Sequence, residues 1–211
     1  MTPQERAFRV RQMGARHDWW SLRAEAVIAP EREIVDAHVH LWDERDFPDP
    51  AQPDRALRTS RYLIDALLGD LRGGHRVVQA VYVECGSGYR ADGPAHLRPV
   101  GETEFAARMA ARSADDDGRE TIAAIVAHAD LRHPELETLL DRHEAAGGGR
   151  LRGIRQSGAR LDDPSQRLLA GAAPRGLYAD PAFRRGLAVV AERGLAFDAF
   201  LFHFQLDELA D

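Results

Sequence analysis

The sequence predicts an α/β protein built on parallel strands, and three observations carry that expectation. Short apolar segments alternate with segments of helical period from residue 33 onward. Residues 77 to 85, Val-Val-Gln-Ala-Val-Tyr-Val-Glu-Cys, form a near-continuous apolar run, which suits a strand covered on both faces. No Gly-x-Gly-x-x-Gly opens a helix and no Gly-x-x-x-x-Gly-Lys-Ser/Thr occurs, so a nucleotide-binding doubly wound sheet is disfavoured.

Taken in order, residues 3 to 27 read as helical, with Phe8, Met13, Trp19, Trp20, Leu22 and Val27 as apolar contacts and Pro30 as the stop. Residues 1–32 are thus expected to be an N-terminal helical extension anchored by its tryptophans, and 33–211 the main domain. Residues 33 to 43 alternate with a period of two and read as the first strand. The loop 42 to 58, rich in Asp, Pro and Arg, leaves its C-terminal end. Tyr62, Leu63, Leu67, Leu68 and Leu71 recur at helical spacing over 60–72, and Gly73-Gly74 stops that helix.

The second strand spans 77–85. A helix over 102–114 carries Phe105, Ala106, Met109 and Ala110 on one side, and Asp115-Asp116-Asp117-Gly118 reads as a solvated turn. A third strand, 121–127, runs into His128-Ala129-Asp130-Leu131. A helix over 134–146 with Leu136, Leu139 and Leu140 closes at Gly147-Gly148-Gly149. A short fourth strand, 151–156, precedes a long Asp/Pro/Gly loop. Asp180 caps a helix over 181–193 and Gly194 ends it. A fifth strand over 195–202 leads to His203, and a last helix starts at 205.

Composition narrows the classes. A chain of 211 residues with 44% hydrophobic and 29% charged residues supports one substantial core. A net charge of −6 argues against a nucleic-acid surface, which needs clustered excess Lys and Arg. One cysteine, Cys85, excludes an intrachain disulfide framework and fits a reducing compartment. No apolar run approaches membrane-spanning length and no signal-peptide pattern opens the chain, so a cytoplasmic protein is expected.

The chemistry points to residues 33–43. Nine histidines in 211 residues give about 0.4 His-x-His pairs by chance, so the pair His38 and His40 does not by itself single out a site. Its context does. The two rings project from one face of a strand, near enough to share one divalent cation, with Asp36 on the same face. They stand at the strand's C-terminal end, where α/β folds bind ligands.

At this point Asp36-Ala37-His38-Val39-His40-Leu41-Trp42-Asp43 resembles the first-strand motif of the amidohydrolase-related (amidohydrolase 2) branch of the metal-dependent hydrolase superfamily. The resemblance continues from Tyr82-Val83-Glu84-Cys85-Gly86 through Tyr89, then Pro99 to Phe105, Ala127 to Leu131, Arg152 to Gln156, and Gly194 to His203 with Gln205-Leu206. It implies a (β/α)8 TIM barrel. Five units of about 35 residues fit between 34 and 211, against roughly 250 residues for eight. The resemblance therefore implies a partial barrel of about the first five units, from a C-terminally truncated member. The family's later His and its eighth-strand Asp have no counterpart here.

It also implies metal-assisted hydrolysis of a lactone or amide bond in a small, carboxylated substrate. The divalent cation, Zn or Mn, would be held by His38, His40 and His203, with His203 also the catalytic candidate. Arg155, Glu84 and His128, at the ends of strands four, two and three, are the candidate substrate contacts. Arg155 would clamp a carboxylate or else form an ion pair with Glu84 or Asp198. Some lactonases and decarboxylases of the branch act without metal. The alternatives are thus a metal-free site, or an inactive or structural fragment. The expected partner is a small-molecule substrate, with no nucleic acid and no membrane, and with self-association into a homo-oligomer left open.

Overall fold

The computed structural model describes residues 26–43, 61–114, 120–162 and 172–210. Residues 3–25 of the expected helix, with Trp19 and Trp20, most of the loop 42–58, the Asp115–Asp117 turn and the middle of the 157–179 loop lie outside those residues. Five strands, β1 (Glu33–Val39), β2 (Arg76–Val83), β3 (Ile122–His128), β4 (Leu151–Arg155) and β5 (Ala196–Asp198), form one sheet in the order β1-β2-β3-β4-β5. Every neighbouring pair is parallel. A doubly wound sheet would reverse its strand order at a switch point. Here the order follows the chain without reversal, and the sheet curls into part of a (β/α)8 barrel.

Helices α1 (Ile64–Leu71), α2 (Val100–Arg112), α3 (Leu136–Gly147) and α4 (Pro181–Glu192) connect the strands, and α5 (Leu206–Ala210) follows a 3-10 turn at His203–Gln205. Their boundaries follow local chemistry. Asp180 accepts the Ala182 N–H at 2.8 Å and caps α4, with Pro181 at the first helical position where its missing N–H does no harm. Gly148 ends α3 at φ 56°, a left-handed conformation that glycine adopts without a Cβ penalty.

The sheet's outer face packs on the helices in two clusters. Val39, Leu41, Tyr82 and Ile125 meet Ile64, Leu67 and Phe105, while Ala127, Leu151 and Ile154 meet Leu139, Leu140 and Phe183. The helical periodicity read in the sequence is what aims these residues inward. Because Val39 and Leu41 face the helices, the alternation of the extended chain turns His38 and His40 to the concave face.

The fifth strand is shorter than the expected 195–202. After Asp198 the chain leaves the ladder, and its carbonyls bind the loop beyond β4 instead. The Phe200 carbonyl accepts the Gly158 N–H at 2.9 Å and the Tyr178 hydroxyl at 3.3 Å. Gln205, only 2% exposed, completes the detour. Its side chain accepts the Arg160 N–H at 2.9 Å and donates to the Gly158 carbonyl at 3.0 Å. No helix of the described residues is long and apolar enough to cross a membrane.

Candidate active site

The C-terminal ends of the five strands bring ionisable side chains to one rim. On β1 the Nε2 atoms of His38 and His40 lie 3.1 Å apart. The His40 ring donates its Nδ1 hydrogen to the Val83 carbonyl at 2.7 Å, which leaves the Nε2 lone pair pointing at His38. The His38 N–H is bonded to Asp36 Oδ1 at 3.1 Å, a local tie that steadies the strand where it exits. Two nitrogens sharing one zinc ion at about 2.0–2.1 Å and a tetrahedral angle lie about 3.3–3.4 Å apart. At 3.1 Å the two atoms stand slightly inside that spacing and within hydrogen-bonding distance of one another.

Across β2 to β5 the rim is a charged row. His128 is in register with Arg155, and Arg155 with Asp198, so the three share the concave face. Arg155 donates from Nε to Glu84 Oε1 at 2.8 Å and from Nη2 to the Glu84 carbonyl, while its Nη1 stands 3.8 Å from Asp198. The Phe200 ring covers the guanidinium at 5.6 Å. The Arg155 and Glu84 side chains are 8% and 13% exposed, against 36% for Asp198. The ion pair with Glu84 is thus shielded and the one with Asp198 is loose and open to solvent.

Of the residues singled out in the sequence, His38, His40, Glu84, His128 and Arg155 all stand at strand ends. His203 does not: it lies five residues past the end of β5, exposed on the 3-10 turn, with its ring edge-on to Phe204 at 5.4 Å. The strand-end position belongs to Asp198, because the Gly158 and Gln205 bonds pull the following segment out of the sheet.

Behind the rim sit two buried polar devices that the sequence reading did not single out. Glu102 of α2, 3% exposed, accepts the backbone N–H groups of Cys85, Gly86 and Ser87 at 2.7, 3.1 and 2.9 Å and the Tyr82 hydroxyl at 2.9 Å. It fixes the loop that follows Glu84. Burial first, then the nearby Glu84 carboxylate, push its carboxyl up to about 7, against the pull of those hydrogen bonds. His143 of α3 is fully buried; it donates from Nε2 to the His128 carbonyl at 3.0 Å and accepts the Thr103 hydroxyl at Nδ1 at 2.7 Å. Burial lowers its pKa to about 4. Only the Ser/Thr/Glu/His residue types were visible in the sequence; their pairing depends on how α2 and α3 dock.

No protein-family model matches the sequence. Over 187 residues it is 30% identical to the uncharacterized protein y4mH of Sinorhizobium fredii, covering 84% of this chain and 57% of that one. The structure is similar to a crystal structure of an amidohydrolase from Burkholderia multivorans with bound zinc, at a TM-score of 0.55 and 23% identity over 83% of this chain and 51% of that one. A second crystal form of such an amidohydrolase, with bound HEPES, gives a TM-score of 0.54 at 23% identity, covering 83% of this chain and 50% of that one. The chain thus spans little more than half the length of the proteins it matches. The fold it shares with these neighbours is a (β/α)8 barrel, here as a five-stranded part.

Proposed function

We infer that this chain belongs to a hydrolase of the amidohydrolase superfamily, acting on a lactone or amide bond of a small carboxylated substrate with the help of a divalent cation. The observation that carries the reading is the His38–His40 geometry: two Nε2 atoms 3.1 Å apart, one of them aimed by the Val83 carbonyl. The donor set suits zinc, which the Burkholderia multivorans neighbour also holds. His38 and His40 would hold the ion, with His203 as the candidate third ligand and catalytic contact. Bound there, the cation would polarise the scissile carbonyl and make a water more acidic.

The chain's own residues do the rest. Glu84 holds the Arg155 guanidinium from one side. The opposite edge, Nη1, faces the looser and more exposed Asp198. A substrate carboxylate would take the Asp198 side of that guanidinium, orienting the substrate across the rim. His128, in register beside Arg155, would contact the same substrate.

A second reading rests on the same distance. A separation of 3.1 Å also lets the His38 Nε2 hydrogen bond the His40 Nε2 lone pair, so the pair can stand without an ion, as a metal-free lactonase or decarboxylase would require. Zinc titration of the chelator-treated chain beside His38→Ala/His40→Ala, with lactone turnover followed in parallel, separates the two. The cation reading requires an equivalent of zinc that the double variant loses. Lactone turnover that survives chelation and needs both rings would establish the metal-free reading.

A further inference from the structure

A second set of metal-ligating side chains lies on the connections that follow β2 and β3. His96 is in the 3-10 turn Ala95–Leu97 ahead of α2, His133 is in the loop after β3, and Glu135 stands at the N-cap of α3. Each offers one ligand atom, and the three atoms lie within 4.8 Å of one another. The His96 and His133 rings are stacked, 4.2 Å between centroids and 16° between planes.

The decisive atom is His96 Nε2. It is buried and has no hydrogen-bond partner, although a Glu135 carboxylate oxygen stands 3.3 Å away. A buried polar nitrogen left in that condition costs free energy, and native structures rarely keep one without a reason. A cation between the ring and the carboxylate satisfies both.

We propose that His96, His133 and Glu135 form a second divalent-cation site, of zinc class, separate from the His38–His40 pair. Two imidazoles and one carboxylate with open positions are a known donor set for zinc. The side-chain exposures, 15% for His96 and 61% for Glu135, make the ring the fixed anchor and the carboxylate the arm that closes. His133 Nδ1 now accepts the Glu135 N–H at 3.1 Å. Coordination through that lone pair returns the N–H to the open first turn of α3, where water can take it. The positive end of the α3 dipole opposes a cation there, so the Glu135 charge is indispensable. A bound ion would clip the segment after β2 to the start of α3.

The test uses the full chain, stripped by chelation and titrated with Zn2+ by calorimetry and with Co2+ by absorption. The variants are His38→Ala/His40→Ala, that pair with His96→Ala, and that pair with Glu135→Gln. The pair variant is expected to keep one equivalent and a Co2+ d–d band. Adding His96→Ala removes both, and adding Glu135→Gln weakens binding at least about tenfold with an unchanged circular-dichroism melt. If adding either His96→Ala or Glu135→Gln leaves the equivalent in place at unchanged affinity, or if the pair variant binds nothing, the proposal is overturned. Neither result touches the strand-end reading, which stands or falls on the equivalent that the His38→Ala/His40→Ala pair removes. Should His96→Ala not fold, Glu135→Gln alone decides.

Discussion

His40 and Arg155 grip consecutive carbonyls of one strand exit: His40 bonds Val83 from β1, and Arg155 bonds Glu84 from β4. The end of β2 therefore couples the histidine pair to the charged row. The two halves of the candidate site share one piece of backbone.

For the histidine pair, zinc at a hundredfold excess over its Kd should raise the unfolding free energy by about 2.7 kcal/mol, the mass-action gain of a ligand bound only by the folded chain. Chelation should reverse the gain, and His38→Ala/His40→Ala should lose this increment. Urea melts with and without zinc measure it. An equal zinc response in wild type and the double variant would remove the pair as a binding site.

For Arg155, truncation should be severe. Arg155→Ala leaves the Glu84 carboxylate, 13% exposed, without its cation, and breaking such a shielded pair costs about 3–5 kcal/mol. Arg155→Met with Glu84→Gln should recover most of that loss. Equal destabilisation in the single and double variants, by urea midpoint, would show that packing and not charge sets the cost.

For pH, two buried groups act in opposite directions. His143 titrates near 4 in the fold and at its ordinary 6.5 when unfolded. Its contribution is complete above 6.5 and lost as pH falls toward 4, about 3 kcal/mol in all. Glu102 titrates near 7 in the fold against an ordinary 4.5, so its contribution is lost as pH rises from 4.5 to 7. Between 4.5 and 6.5 the slopes cancel. Glu102→Gln, though less stable throughout, should expose the His143 slope as a rise of about 2 kcal/mol from pH 5 to 6.5. Equal urea midpoints for that variant at the two pH values would refute the assignment.

For packing, two glycines should respond with opposite sign to alanine. A Cβ at Gly186 of α4 would overlap the Leu131 carbonyl, where the helix crosses the loop after β3. Gly186→Ala should cost about 2–3 kcal/mol. Gly69 of α1 has nothing within 4 Å of an added Cβ, so Gly69→Ala should gain about 0.5–1 kcal/mol from helix propensity. Thermal melts of the two variants check both signs.

The parallel architecture was legible because it rests on local patterns. Val77 to Val83 reads as a covered strand from its own composition, and Leu136, Leu139 and Leu140 from their own spacing. The strand-end positions of His38, Glu84, His128 and Arg155 followed from those patterns. What the sequence hid was set by contacts between distant segments. The Gln205 and Gly158 bonds end β5 at Asp198, so His203 follows five residues later on a 3-10 turn. The Glu102 cradle and the His96–His133 stack join residues separated by 15 or more positions, with no periodicity to announce them.

The sheet order that repeats the chain order has a consequence for how this protein is made. Among the described strands each new one pairs with the one before it, so the ladder contacts connect neighbours in sequence and loop closure stays short. During synthesis β1 and α1 emerge before β2, so the order of synthesis is also the order in which the strands can pair. The His38–His40 pair is then oriented once β2 delivers the Val83 carbonyl, well before β4 and β5 complete the rim.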